Sequence, residues 1–174
     1  MKTLLPLLGA FLITHLSASA QAPTTIVTFD SATVVAGTAL PGSNVVVTVA
    51  FKIQPGYYLH TSRPLLPRVT PTLVQAGTLG ATRSLPAAYS GPSQKTIPGS
   101  PMPLAVYEGG LTAQIAVALA PNAVFPIKLP GLISYAPVNE KTHTQGRAEQ
   151  VRFEINIPRG TNALPAKAGD PKKK

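Results

Sequence analysis

The chain contains no cysteine and no tryptophan, and only two methionines, three histidines and six acidic residues among 174. Each absence removes a class of chemistry. Without a thiolate there is no disulfide framework, no thiol exchange, no nucleophilic cysteine and no sulfur ligand of that kind for zinc. A lipid-modified start that requires cysteine is excluded on the same count. Beyond residue 20 no apolar run is long enough to cross a bilayer. No stretch carries an apolar pattern of helical period, and 19 prolines and 14 glycines interrupt the chain too often for long helices. Neither a Gly-x-Ser-x-Gly elbow nor a lysine-ending phosphate loop occurs, so Ser90-Gly91, Gly99-Ser100 and Gly109-Gly110 read as turns. A hydrolase would draw on Ser90, His143 and Asp30, and nothing in their spacing brings them together.

What is present begins with an address. Lys2 supplies a positive end, Leu4 to Ile13 an apolar stretch, and Ala18-Ser19-Ala20 a small-residue cleavage site. Residues 1–20 are therefore expected to be a signal peptide, with the mature chain starting near Gln21 in the periplasm or outside the cell. Residues 21–158 are of a size for one domain. After Pro158 the composition turns to small residues, proline and lysine, so residues 159–174 are expected to form a disordered basic tail. The formal net charge of +9 favours anionic surroundings. Arg63, Arg68, Arg83, Lys95 and Lys128 are scattered rather than interleaved with aromatics, and this argues against nucleic acid.

Period-two alternation dominates the middle of the chain, the mark of strands with one face on a core. In Asn44 to Ile53 the inward set is Val45, Val47, Val49, Phe51 and Ile53. In Gly110 to Leu119 it is Leu111, Ala113, Ile115, Val117 and Leu119. In Gln150 to Ile157 it is Val151, Phe153, Ile155 and Ile157. Shorter strands are expected at Thr25 to Phe29, Tyr57 to His60, Val69 to Gln75, Leu104 to Tyr107 and Phe125 to Tyr135. Gln54-Pro55-Gly56 is a turn signal. Pro86 to Pro103, with five prolines, reads as a long irregular loop. Many short strands divided by turns predict an all-β, antiparallel sandwich.

Phe51-Lys52-Ile53-Gln54-Pro55-Gly56-Tyr57-Tyr58-Leu59-His60, followed by Arg63-Pro64 and Pro71-Thr72-Leu73, resembles the opening of a known domain. It is the N-terminal periplasmic domain of DsbD-type thiol:disulfide interchange proteins. Leu132-Ile133-Ser134-Tyr135-Ala136-Pro137-Val138-Asn139-Glu140-Lys141-Thr142-His143, leading into Val151 to Ile157, is similar to that family's active-site hairpin and last strand. The likeness covers roughly Thr25 to Pro158 and implies an immunoglobulin-like β-sandwich. It also implies that the family's redox-cysteine positions, aligned from Tyr135, are held here by Val138 and His143. Neither side chain can attack a disulfide, so this is a cysteine-less version without the chemistry. The family's capping loop would fall near Met102 to Gly110. There Tyr107 either covers Val138 and His143 or packs as an ordinary strand aromatic.

These readings converge on an exported, non-catalytic interaction module without a cofactor, whose partner is a periplasmic or membrane-associated protein. Its expected contact surface is Tyr107, Val138, Asn139, Glu140 and His143, beneath the proline-rich loop, because aromatics with a polar rim favour such surfaces. The alternative is a protein handling copper or zinc through His143 with Glu140 or His60. Glu140 and His143 alone are too few for a closed site, and His60 sits in an expected strand as a structural residue.

Overall fold

The computed structural model describes residues 25–79, 82–98 and 100–160; the expected leader and all of the expected tail beyond Gly160 lie outside the described residues. Twelve strands are found among the described residues. In chain order they are β1 (Val27–Ala36), β2 (Asn44–Ile53), β3 (Tyr57–His60), β4 (Leu73–Ala76), β5 (Thr82–Ser84) and β6 (Ala88–Tyr89). There follow β7 (Ser93–Lys95), β8 (Leu104–Glu108), β9 (Gly110–Leu119), β10 (Ile127–Tyr135), β11 (Pro137–Asn139) and β12 (Glu149–Ile157). One layer is the sheet β1-β2-β9-β5, with β6 also on β9. The facing layer is split into β12-β10-β4 and β11-β3-β8-β7. Every pairing is antiparallel, and the molecule is the β-sandwich that the alternation predicts, of the immunoglobulin-like kind that the resemblance implies.

The inward sets of β2 and β9 are buried throughout, and on β12 Phe153, Ile155 and Ile157 are buried while Val151 is half-buried. Side chains of this size each contribute about 1.5–3 kcal/mol when taken fully from water. The weaker expectations differ from the structure where the period breaks. β1 runs on to Ala36 because bulges between Phe29 and Ser31 and between Val34 and Ala36 slip the alternation by one residue each. Asp30, set aside by the first bulge, pairs with Lys52 at 2.5 Å. β4 begins only at Leu73: Pro67, Pro71 and the left-handed backbone of Arg68 (φ 66°) keep the preceding residues off the ladder. Pro86 to Pro103 is not wholly irregular, since β6 and β7 lie within it; strands of two and three residues are too short to show a period. After Pro158, Gly160 is still tied to the sandwich, donating to the Ala39 carbonyl at 2.9 Å.

Two residues inside β10 would be poor choices for a central strand elsewhere. Pro130 directs its carbonyl toward Gly77, which donates to it at 2.7 Å, so its missing N–H falls where β4 has already ended. Gly131 lies opposite Phe153 on β12. The Phe153 ring stacks on Phe29 (centroids 5.3 Å) and meets Phe51 edge-on (5.1 Å), and it passes directly over Gly131. A Cβ at position 131 would come within 2.2 Å of that ring, which the two other phenylalanines hold in place. Gly131→Ala is therefore expected to lower stability by about 1–3 kcal/mol in urea unfolding. An unchanged midpoint would show that the ring is free to move aside.

Candidate functional site

The sheet β11-β3-β8-β7 carries apolar side chains on both faces, and alternation decides which residue goes where. Cross-strand partners share a face: Tyr58 lies opposite Val138, His60 opposite Val106, and Leu59 opposite Tyr107. Leu59 and Tyr107 therefore join the main core, whereas Tyr58, Leu104, Val106 and Val138 form a second buried cluster on the outer face, with Ile97 packed against it.

This corrects the place of Tyr107. It is only 4% exposed and stacks on Tyr89 at 6.0 Å, so it neither covers Val138 and His143 nor belongs to an outer surface. Its neighbour Val106 has the outward position. Val138 is likewise no surface residue: at 1% exposure it is the floor of the second cluster. The other three members of the expected surface do sit together on the hairpin. Asn139 Oδ1 accepts from the N–H groups of Lys141 (2.9 Å) and Thr142 (3.1 Å), and the Asn139 carbonyl accepts from His143 N–H at 2.8 Å. These bonds close the tip as a tight turn and set His143 in the left-handed region (φ 53°). Across the hairpin Gln145, not His143, stands directly opposite Val138.

Over the second cluster lies a groove of about 280 Å³, roofed by the proline-rich segment. Tyr58, Val138 and Leu104 line it from the sheet, Ile97 and Pro101 from the roof, and His60 and His143 from either flank of Tyr58. The Tyr58 ring meets His60 edge-on at 5.9 Å and His143 at 6.5 Å. Burial holds His60 below the usual histidine range, because desolvation disfavours its charged form. The Nδ1 atom of His143 is buried without a hydrogen-bond partner. Burial also raises the Tyr58 hydroxyl, partly opposed by Lys95.

Lys95 was not singled out by the sequence, yet it fixes this end of the molecule. From β7 its ammonium pairs with Glu108 at the end of β8 and with Glu140 on the hairpin (2.5 Å), and it lies 5.4 Å from the Tyr58 ring centre. The side chain is 17% exposed, so solvent screens it less than the surface pairs of Lys52 and Lys128. Glu140 is thereby engaged, and its carboxylate is not free to join His143 in a metal site. Among the described residues no group of three or more histidine, cysteine, aspartate or glutamate side chains is placed to hold a metal. No sequence signal marks Lys95, because its two partners lie 13 and 45 residues away.

No family model matches the chain, and no curated protein matches its sequence. Among solved structures, the reduced N-terminal domain of DsbD from Neisseria meningitidis aligns at TM-score 0.38 and 16% identity, over 75% of this chain and 86% of that one. The N-terminal periplasmic domain of ScsB from Proteus mirabilis gives TM-score 0.49 and 11% identity, over 75% of this chain and 47% of that one. A complex between the DsbD and PilB N-terminal domains of N. meningitidis gives TM-score 0.42 and 15% identity, over 80% and 88%. These neighbours include the domain that the sequence resembles. At such scores they say nothing of the site, whose account stands on its geometry.

The double pairing sets a pH dependence. Glu140 is held below the usual carboxylate range, first by the hydrogen bond from Lys95 and then by its charge. Its folded value lies below the unfolded one, so this contribution is complete above the ordinary carboxylate range and is lost as pH falls through the depressed value. Lys95 is raised by hydrogen bonds to Glu108 and Glu140, so its share is complete below the ordinary lysine range and is lost as pH rises through the raised value. In Lys95→Met, the Glu140 carboxyl followed by NMR should titrate at higher pH than in the parent protein. Coincident titration curves would contradict the pairing.

Proposed function

We propose that the chain is an exported, non-catalytic interaction module that receives a partner protein's side chain in the groove between the hairpin and the proline-rich segment. The observation that carries this reading is Val138: the family position that resemblance assigns to a reactive cysteine is an apolar residue buried with Tyr58, Leu104 and Val106. With no cysteine anywhere in the sequence, that position supplies contact in place of electron transfer. The groove supports the reading by its size. At about 280 Å³ it falls below the roughly 300–1,000 Å³ of small-molecule sites and suits one or two anchoring side chains. Its lining also carries polar groups, His143 and Gln145 on the hairpin side and Ser100 on the proline-rich side. Export, the residue 21–158 domain bounds, and a periplasmic or membrane-associated partner belong to the same proposal and rest on the composition of the first twenty residues and the family resemblance.

One observation favours a metal reading, the unpartnered Nδ1 of His143 in the same groove as His60. Among the described residues two imidazoles are available to it, and Lys95 occupies Glu140. Two experiments separate the readings. A photo-crosslinking residue at Gln145, in cells that export the protein, should give one discrete protein adduct that is lost with Leu66→Glu on the groove wall and absent when the probe replaces Lys128. Calorimetric titration with zinc or copper should show no stoichiometric binding. Equal adducts from both positions, or tight metal binding abolished by His143→Ala, would overturn the module.

A further inference from the structure

A second site lies on the flank of the sandwich, away from the groove, and follows from the unfinished edge of β4. β4 is the outer strand of its sheet, and among the described residues no strand pairs with the side it turns away from β10. That edge is partly served by side chains: Val74 N–H donates to the Tyr89 hydroxyl at 2.8 Å, and the Ala76 carbonyl accepts from Ser84 Oγ at 2.7 Å. Both polar groups of a strand residue point to the same side, and alternate residues share that side. The Val74 carbonyl and the Ala76 N–H therefore also face outward, on either side of Gln75. An incoming parallel strand uses just such a pair, one of its residues donating to the first carbonyl and accepting from the second N–H.

A cleft of about 440 Å³ runs along this edge, between β4 and the segment from Ser84 to Tyr89. Two of its wall residues are large, apolar and left in water: Leu73 is 39% exposed and Leu85 52%. Arg63 also lines the cleft, exposed and without a salt bridge among the described residues. Thr72 N–H donates to the Thr61 carbonyl at 3.3 Å, which brings the Ser62–Arg63 step to the Leu73 end of β4.

We propose that this cleft binds an extended peptide segment, laid parallel to β4, in which an acidic side chain precedes a run of apolar residues. Parallel alignment puts the peptide's N-terminal end at the Leu73 end of the strand, where Arg63 meets the carboxylate. The apolar residues then cover Leu73 and Leu85 while the peptide backbone meets Val74 and Ala76. An alkyl chain would cover the same leucines but leave both backbone groups unmet, so the cleft favours peptide over lipid.

NMR titration of the protein with acetyl-Asp-Leu-Val-Leu-amide tests this. The amides of Gln75 and Ala76 should shift, and exchange at Ala76 should slow. The matching peptide with Asn in place of Asp should bind roughly three- to fivefold more weakly, as should the reversed order with Asp last. Arg63→Gln, at an exposed position that leaves the fold intact, should erase the difference between the Asp and Asn peptides. Equal affinities for those peptides in the parent protein, shifts confined to His143 and Gln145, or no shift at millimolar peptide would each overturn the proposal.

Discussion

A sheet that is apolar on both faces has to be covered twice. The strands β11, β3 and β8 impose this condition, because their sequence places Leu59 and Tyr107 on one side and Tyr58, Leu104, Val106 and Val138 on the other. The first side is met by the sandwich itself. The second needs a separate cover, and the proline-rich segment provides it, with Ile97 packed on the cluster. Prolines suit this task, since a segment with few backbone donors can lie over an apolar surface without leaving many N–H groups unsatisfied. Lys95 then ties the cover to the strand below and to the hairpin beside it, through Glu108 and Glu140.

The groove follows from that arrangement. The cover spans the cluster without filling the space above it, and the remaining space is lined by rings and branched side chains held from both sides. The position where the resemblance puts a reactive cysteine is occupied by a buried valine, Val138. Such a cavity, already shaped and bordered by polar groups, lowers the ordering cost of receiving a partner's side chain. The physical case for a contact role therefore rests on packing, with the electrostatic tie of Lys95 keeping the cavity in shape.

The long strands were legible because their alternation is uninterrupted. β2 and β9 match the expected Asn44 to Ile53 and Gly110 to Leu119 in both bounds and inward faces. β1 was cut short where two bulges shift the period, and the strands of two or three residues gave no pattern at all. Tyr107 was counted with the hairpin residues in the expected contact surface, although it lies on the opposite face of the sheet. The order of residues in Leu104 to Glu108 does not reveal which side meets the main core when both sides are apolar; only pairing with Leu59 decides it. Lys95 was beyond reach for a different reason, because an ion pair between distant segments leaves no local trace. The cleft beside β4 was invisible for the same cause, as it depends on where one sheet stops and another begins.

The central claim is that the proline-rich segment is packed as a second cover over the outer face of the sheet. Methyl-selective NMR measures this directly through cross-relaxation between the Ile97 methyl groups and those of Leu104, Val106 and Val138. The account predicts clear cross-peaks from Ile97 to this cluster in the free protein. Their absence, with Ile97 giving the narrow averaged signals of an exposed loop, would contradict it.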